Sequence, residues 1–135
     1  MIVLDENFPE SQRQLLRGWR IPIRQIGYEV GRKGMKDDEV IPFLHTLSRP
    51  TFFTLDLGFY RRNLCHAGYC LACMNVWQYE AAVFVRRLLC HVYFKTKAKR
   101  MGTTIRTHHD GISIWYLHAE KETHLDWETG KELKP

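Results

Sequence analysis

Acidic residues stand where two short apolar runs stop. Ile2-Val3-Leu4 ends at Asp5-Glu6-Asn7, and Thr51-Phe52-Phe53-Thr54-Leu55 ends at Asp56. A third cluster, Asp37-Asp38-Glu39, lies between them at a predicted helix start, where the helix dipole favours negative charge. If the three segments share one rim, their carboxylates repel one another unless a divalent cation lies between them. Mg²⁺ or Mn²⁺ fits such a set, because both prefer oxygen ligands, keep several waters and bridge to phosphate. The chemistry this permits is phosphodiester hydrolysis, with a metal-bound water as nucleophile. In the plainer reading each acid separately caps a helix or ends a strand.

The elements that must position these residues follow from local pattern. Ile2-Val3-Leu4 is apolar throughout, as a strand buried on both faces requires. Pro9 suits the first position of a helix, Leu15 and Leu16 supply its inner face, and Gly18 stops it. Ile21, Ile23 and Ile26 around Pro22 predict an edge strand, since proline cannot donate to a central ladder. Pro42 keeps the next helix from starting much before Asp38, with Val40, Phe43, Leu44 and Leu47 as its apolar face. Further strands are predicted at 51–55 and 69–76, and a helix at 78–91 with Ala81, Phe84, Val85, Leu88 and Leu89 inward. This alternation predicts an α/β fold with a mostly parallel central sheet and right-handed crossovers. Asp110-Gly111 between two alternating runs adds a C-terminal β-hairpin, to which His108 and His109 lead in. The expected domain is 1–118, followed by a polar C-terminal tail over 119–135.

At 135 residues a single core is expected. The net charge of +5 favours an anionic partner such as a nucleic acid. No apolar run approaches the roughly 20 residues of a membrane span, and no basic region precedes Ile2. A soluble cytoplasmic protein with no membrane partner is therefore the expectation.

Three motifs in order, Val3-Leu4-Asp5-Glu6-Asn7-Phe8-Pro9, Lys36-Asp37-Asp38-Glu39-Val40-Ile41 and Phe53-Thr54-Leu55-Asp56-Leu57-Gly58-Phe59, resemble the short bacterial PIN-like proteins, of the VapC-like toxin and Mut7-C types. The resemblance covers about the first half of the chain. It implies a PIN-like three-layer fold, Mg²⁺- or Mn²⁺-dependent endoribonuclease activity and the role of a toxin held in check by a small antitoxin protein. Asp5, Asp37 and Asp56 match the family's catalytic, metal-holding acids. The second acid of the third motif falls at Gly58 here, which makes Glu6, Asn7, Asp38 and Glu39 further candidate ligands. A non-catalytic PIN-like module that binds RNA or protein is the alternative.

Arg61, Arg62, Arg86, Arg87, Lys95, Lys97, Lys99 and Arg100 are candidate RNA-binding cations around the acidic rim, with Tyr60 or Tyr93 to stack on bases. A solvated charged face is the competing reading. Cys65, Cys70, Cys73 and Cys90 are expected as reduced thiols. Zinc is awkward for Cys70 and Cys73, since strand residues three apart point to opposite faces. Trp77, Trp115 and Trp127 are expected in the core or at an interface, and an aromatic patch on the hairpin would serve a homodimer or antitoxin docking.

Overall fold

A computed structural model of the chain describes residues 1–128. Among them, seven strands form one sheet: β1 (Ile2–Leu4), β2 (Arg24–Gln25), β3 (Thr51–Thr54), β4 (Cys70–Met74), β5 (Thr103–His108), β6 (Gly111–Tyr116) and β7 (Thr123–Leu125). Their spatial order is β2-β1-β3-β4-β5-β6-β7, parallel from β2 through β5 and antiparallel at β5–β6 and β6–β7. The fold is thus α/β with a mostly parallel central sheet. None of the helices in the described residues is long and apolar enough to cross a membrane.

Helices cover both faces of the sheet because its central strands carry apolar side chains on both sides. Leu4, Phe53 and Ala72 pack beneath α1 (Glu10–Gly18) and α3 (Ala81–Cys90), through Leu16, Phe84, Val85 and Leu88. Val3, Phe52 and Leu71 pack on the other side against Val40 and Leu44 of α2 (Asp37–Leu44) and Phe59 of the turn after β3. Such alternation along a strand is the period of two that a pleated sheet imposes.

Several elements differ from expectation for identifiable reasons. Leu15 is 42% exposed, because α1 turns its Gln12–Leu16 stripe inward instead. Gln12 Oε1 accepts from the Ala82 backbone N–H at 3.0 Å, joining α1 to the start of α3. Pro42 lies inside α2 and cannot donate to the Asp38 carbonyl; the helix ends two residues later. The connection from β4 to β5 runs over the α1 face, whereas that from β2 to β3 runs over the α2 face, although both step the same way along the sheet. The two crossovers therefore have opposite hands, and one shared hand does not hold.

The stretch expected as a polar tail from residue 119 includes β7. Its Thr123 and Leu125 pair with Ile114 and Ile112, and Trp127 packs into the core and donates from Nε1 to the His108 carbonyl. The packed domain thus reaches Trp127, and 129–135 lie outside the described residues. Short strands of mixed polarity escape periodicity because ladder pairing and one anchoring aromatic ring hold them.

Candidate functional site

β1 and β3 are adjacent and parallel, with Leu4 opposite Phe53, so the residues that follow them emerge side by side. In the order β2-β1-β3-β4-β5 the sheet reverses direction between β1 and β3. The crevice outside the carboxyl ends of strands at such a switch point is where doubly wound sheets bind ligands. Asp5 and Asp56 stand in that crevice.

One hydroxyl joins them. Thr54 Oγ1 donates to Asp5 Oδ2 at 2.6 Å and accepts from the Asp56 backbone N–H at 3.0 Å. Asp56 turns its Oδ1 back onto the Gly58 N–H at 2.8 Å, closing a tight turn. Burial holds the Asp5 carboxyl above its usual range; the Thr54 hydroxyl and Glu6 N–H oppose this, while the charges of Asp56 and Asp37 add to it. Asp5 thus feels both other acids, as a shared rim requires.

Asp56 stands between two recesses. One, of about 230 Å³, is lined by Asp5, Asn7, Phe8, Leu55, Asp56 and Gln78. The other, of about 610 Å³, includes Asp37, Asp38, Asp56, Gly58 and Arg61 in its wall. The structure therefore brings Asp5, Asn7, Asp37, Asp38 and Asp56 to one rim.

Two of the candidate ligands are committed elsewhere. Glu6 accepts from the Gly34 N–H at 2.8 and 3.1 Å, pinning the loop ahead of α2. Its carboxylate also lies where a side chain on Gly27 would sit, 3.0 Å from an ideal Cβ at that φ +89° position. Glu39 accepts from the Lys36 N–H at 3.1 Å and pairs with Arg32, so it closes the start of its own helix. Among the described residues, no three His, Cys, Asp or Glu side chains converge as a ready metal cluster. The donors in the first recess, two carboxylates and two amides, are nonetheless of the oxygen type that a hard cation takes together with its waters.

The expected cations divide. Arg61 lines the Asp37 recess and donates from Nε to the Gly58 carbonyl at 3.1 Å. Arg62 lies in the next groove with its guanidinium over Trp115. Arg86 stacks on Trp19 at 3.8 Å and Arg87 on Trp127 at 4.2 Å, where both cover aromatic rings of the α1/α3 layer. Lys97, Lys99 and Arg100 lie in a short helix, α4 (Lys97–Arg100), with Lys95 just before it. This segment sits where the strands begin, since Arg100 reaches Thr51 and Lys97 acts on the Met1 amine. That edge is opposite the acids, so these four residues do not flank them.

Arg100 is a core residue, 6% exposed. Its Nε donates to Thr51 Oγ1 and its Nη1 to the Phe94 carbonyl, both at 2.9 Å. Arg100→Ala is expected to cost about 2 kcal/mol, because two buried acceptors lose a charged donor. The shift in urea midpoint relative to wild type measures this.

The stacking candidates also move. The Tyr60 hydroxyl is engaged by Glu122 with the Arg106 guanidinium over its ring, and Tyr93 follows α3 at the opposite edge. Trp77, expected in the core or at an interface, is 64% exposed and so lies outside the core. Cys70 and Cys73 face opposite sides of the sheet, and burial pushes both thiols up, Cys70 to about 12. Ser113, His124 and Glu122 form a hydrogen-bonded chain, but Ser113 is 1% exposed and cannot serve as a nucleophile.

No family model, curated protein or solved structure matches the chain.

Sequence reasoning passed over four residues at or beside this rim. Thr54 couples the acids, and its hydroxyl two positions before Asp56 was the available signal. Gln25 is buried and supports the loop after β1, donating from Nε2 to the carbonyls of Asp5, Glu6 and Phe8 at 3.0–3.1 Å. Gln78 lines the first recess. Arg106 holds its guanidinium over the Tyr60 ring, and its charge opposes that of Asp56 at the buried Cys73 thiol. For these last three the partners are distant in sequence, and no local pattern marks them.

Proposed function

We propose that the chain is a divalent-cation-dependent ribonuclease of PIN-like architecture that hydrolyses RNA phosphodiesters. The observation that carries this reading is the pairing of Asp5 and Asp56 through Thr54 at the switch point, with Asp37 acting on the same carboxyl. Asp5 and Asp56 would hold Mg²⁺ or Mn²⁺ from the β1 and β3 ends, and Asp37 from the start of α2. The ion supplies a nucleophilic water at neutral pH and charge to polarise the phosphorus centre. Thr54 fixes the Asp5 carboxylate by its hydrogen bond, and Arg61, on the wall shared with Asp37 and Asp56, holds a phosphate oxygen. A small antitoxin protein that covers the rim completes the reading. Mn²⁺-dependent cleavage of a mixed RNA pool by wild type but not by Asp5→Asn is the expected result, and equal rates would sink it.

A second reading, a PIN-like module that binds RNA or protein without cleaving, is favoured by Gly58. An ideal Cβ there lies 3.0 Å from Asp56 Oδ1, so an acid at 58 crowds the carboxylate that closes this turn and must displace it by a few tenths of an ångström. Gly58→Asp is expected to cost roughly 1 kcal/mol of stability, read as a fall of about 3 °C in melting temperature, without creating a ligand. A larger Mn²⁺-induced rise in melting temperature than wild type shows would contradict that.

A further inference from the structure

Trp77 and Tyr79 are exposed aromatic residues beside the rim, at 64% and 49%. They follow the end of β4 and flank Gln78, which lines the recess of Asp5, Asn7 and Asp56. Their rings meet edge to face, centroids 4.9 Å apart at 74°. Such a contact uses an edge of one ring and one face of the other, leaving broad aromatic surface open to solvent. Adjoining apolar side chains held in water and rimmed by polar groups mark contact surfaces, whereas single ones do not.

The chemistry beside the pair narrows the occupant. Asn7 and Gln78 present amides, which offer both donors and acceptors to a nucleobase edge. Aromatic faces stack on bases of any sequence once those bases are free of pairing. The acids next door suit a cation-bridged phosphate, and the chain as a whole carries +5. Together they match a segment of polyanion with its bases splayed out, whereas a paired helix keeps its base faces stacked.

We propose that Trp77 and Tyr79 form a stacking platform for unpaired bases of RNA whose backbone runs past the Asp5–Asp56 recess, with Asn7 and Gln78 reading base edges. The assignment rests on RNA as the ligand of that site, and it names the residues that select single strands over duplex.

The test measures affinity in an Asp5→Asn background with Mn²⁺, using a short unstructured RNA and the same strand annealed to its complement. Trp77→Ala is expected to weaken single-strand binding about tenfold or more and Trp77→Phe much less, with duplex binding and the melting temperature unchanged. Equal affinity of the Trp77→Ala and parent proteins, or an equal loss for duplex, overturns the platform, as does a change confined to oligomeric state. Cleavage is scored separately with the Asp5 proteins. Trp77-dependent binding without any cleavage by wild type would remove hydrolysis and support the platform, whereas cleavage of single strands unaffected by Trp77→Ala would do the reverse.

Discussion

Asp5→Asn is expected to melt at a higher temperature than wild type at pH 7 while cleaving RNA slower by roughly two orders of magnitude or more. Both halves follow from one environment. The Asp5 carboxyl is raised above its usual range chiefly by burial, and like charge on Asp56 and Asp37 adds to this. A carboxyl whose folded pKa exceeds its unfolded pKa binds its proton more tightly in the native state. Its stabilising contribution is complete below the unfolded pKa and is lost as pH rises through the folded pKa. At neutral pH the folded protein therefore carries an unfavourable charge that asparagine removes, although the Thr54 hydroxyl then loses its charged acceptor. The difference in melting temperature between the two proteins should shrink as pH falls below the carboxylate range, because both side chains are then neutral. Mn²⁺ should raise the wild-type melting temperature more than that of the variant. Melting curves across pH, with and without Mn²⁺, check each limb. A variant less stable than wild type at pH 7 would mean that Asp5 is a structural hydrogen-bond acceptor and not a held charge.

What the sequence revealed of this arrangement depended on whether the deciding contacts are local. Ile2–Leu4, Thr51–Thr54 and Cys70–Met74 were legible as strands because apolar runs of that length need burial on both faces. The inward stripe of α3 was legible from its helical period. Asp5 and Asp56 were legible as neighbours once two such strands were assumed parallel and adjacent. β7 was not, because Thr123-His124-Leu125 has no periodicity and depends on pairing with β6. Nor was the inward turn of Arg100, whose partner Thr51 lies 49 residues away. Runs of lysine and arginine suggest a solvated surface, yet one guanidinium with fixed acceptors can be a core side chain. Trp77 shows the opposite case: residue type left core and interface open, and its place on a short turn at the sheet's rim puts it in water, outside the core.

Gln25 carries the largest expected effect on stability. It is 1% exposed on the two-residue edge strand β2, and its Nε2 faces the carbonyls of Asp5, Glu6 and Phe8. These three carbonyls belong to the turn that leads from β1 into α1, so one side-chain amide serves as the turn's internal donor. An amide has two hydrogens, and the three contacts must share them. Gln25→Ala removes both and leaves buried acceptors beside a cavity; about 3 kcal/mol is expected, or roughly a 10 °C fall in melting temperature for a domain of this size. Gln25→Glu should be worse despite its similar volume, because it sets carboxylate oxygens against three carbonyl oxygens. The order wild type, Gln25→Ala, Gln25→Glu in urea midpoint at pH 7 is the measurement, and a glutamate variant as stable as the alanine one would contradict the donor role. Lowering the pH should narrow the gap between the glutamate and alanine variants, since a protonated carboxyl regains one donor. The same turn carries Asp5, so either variant should also slow RNA cleavage at temperatures where it remains folded, through displacement of the Asp5 carboxylate from Thr54.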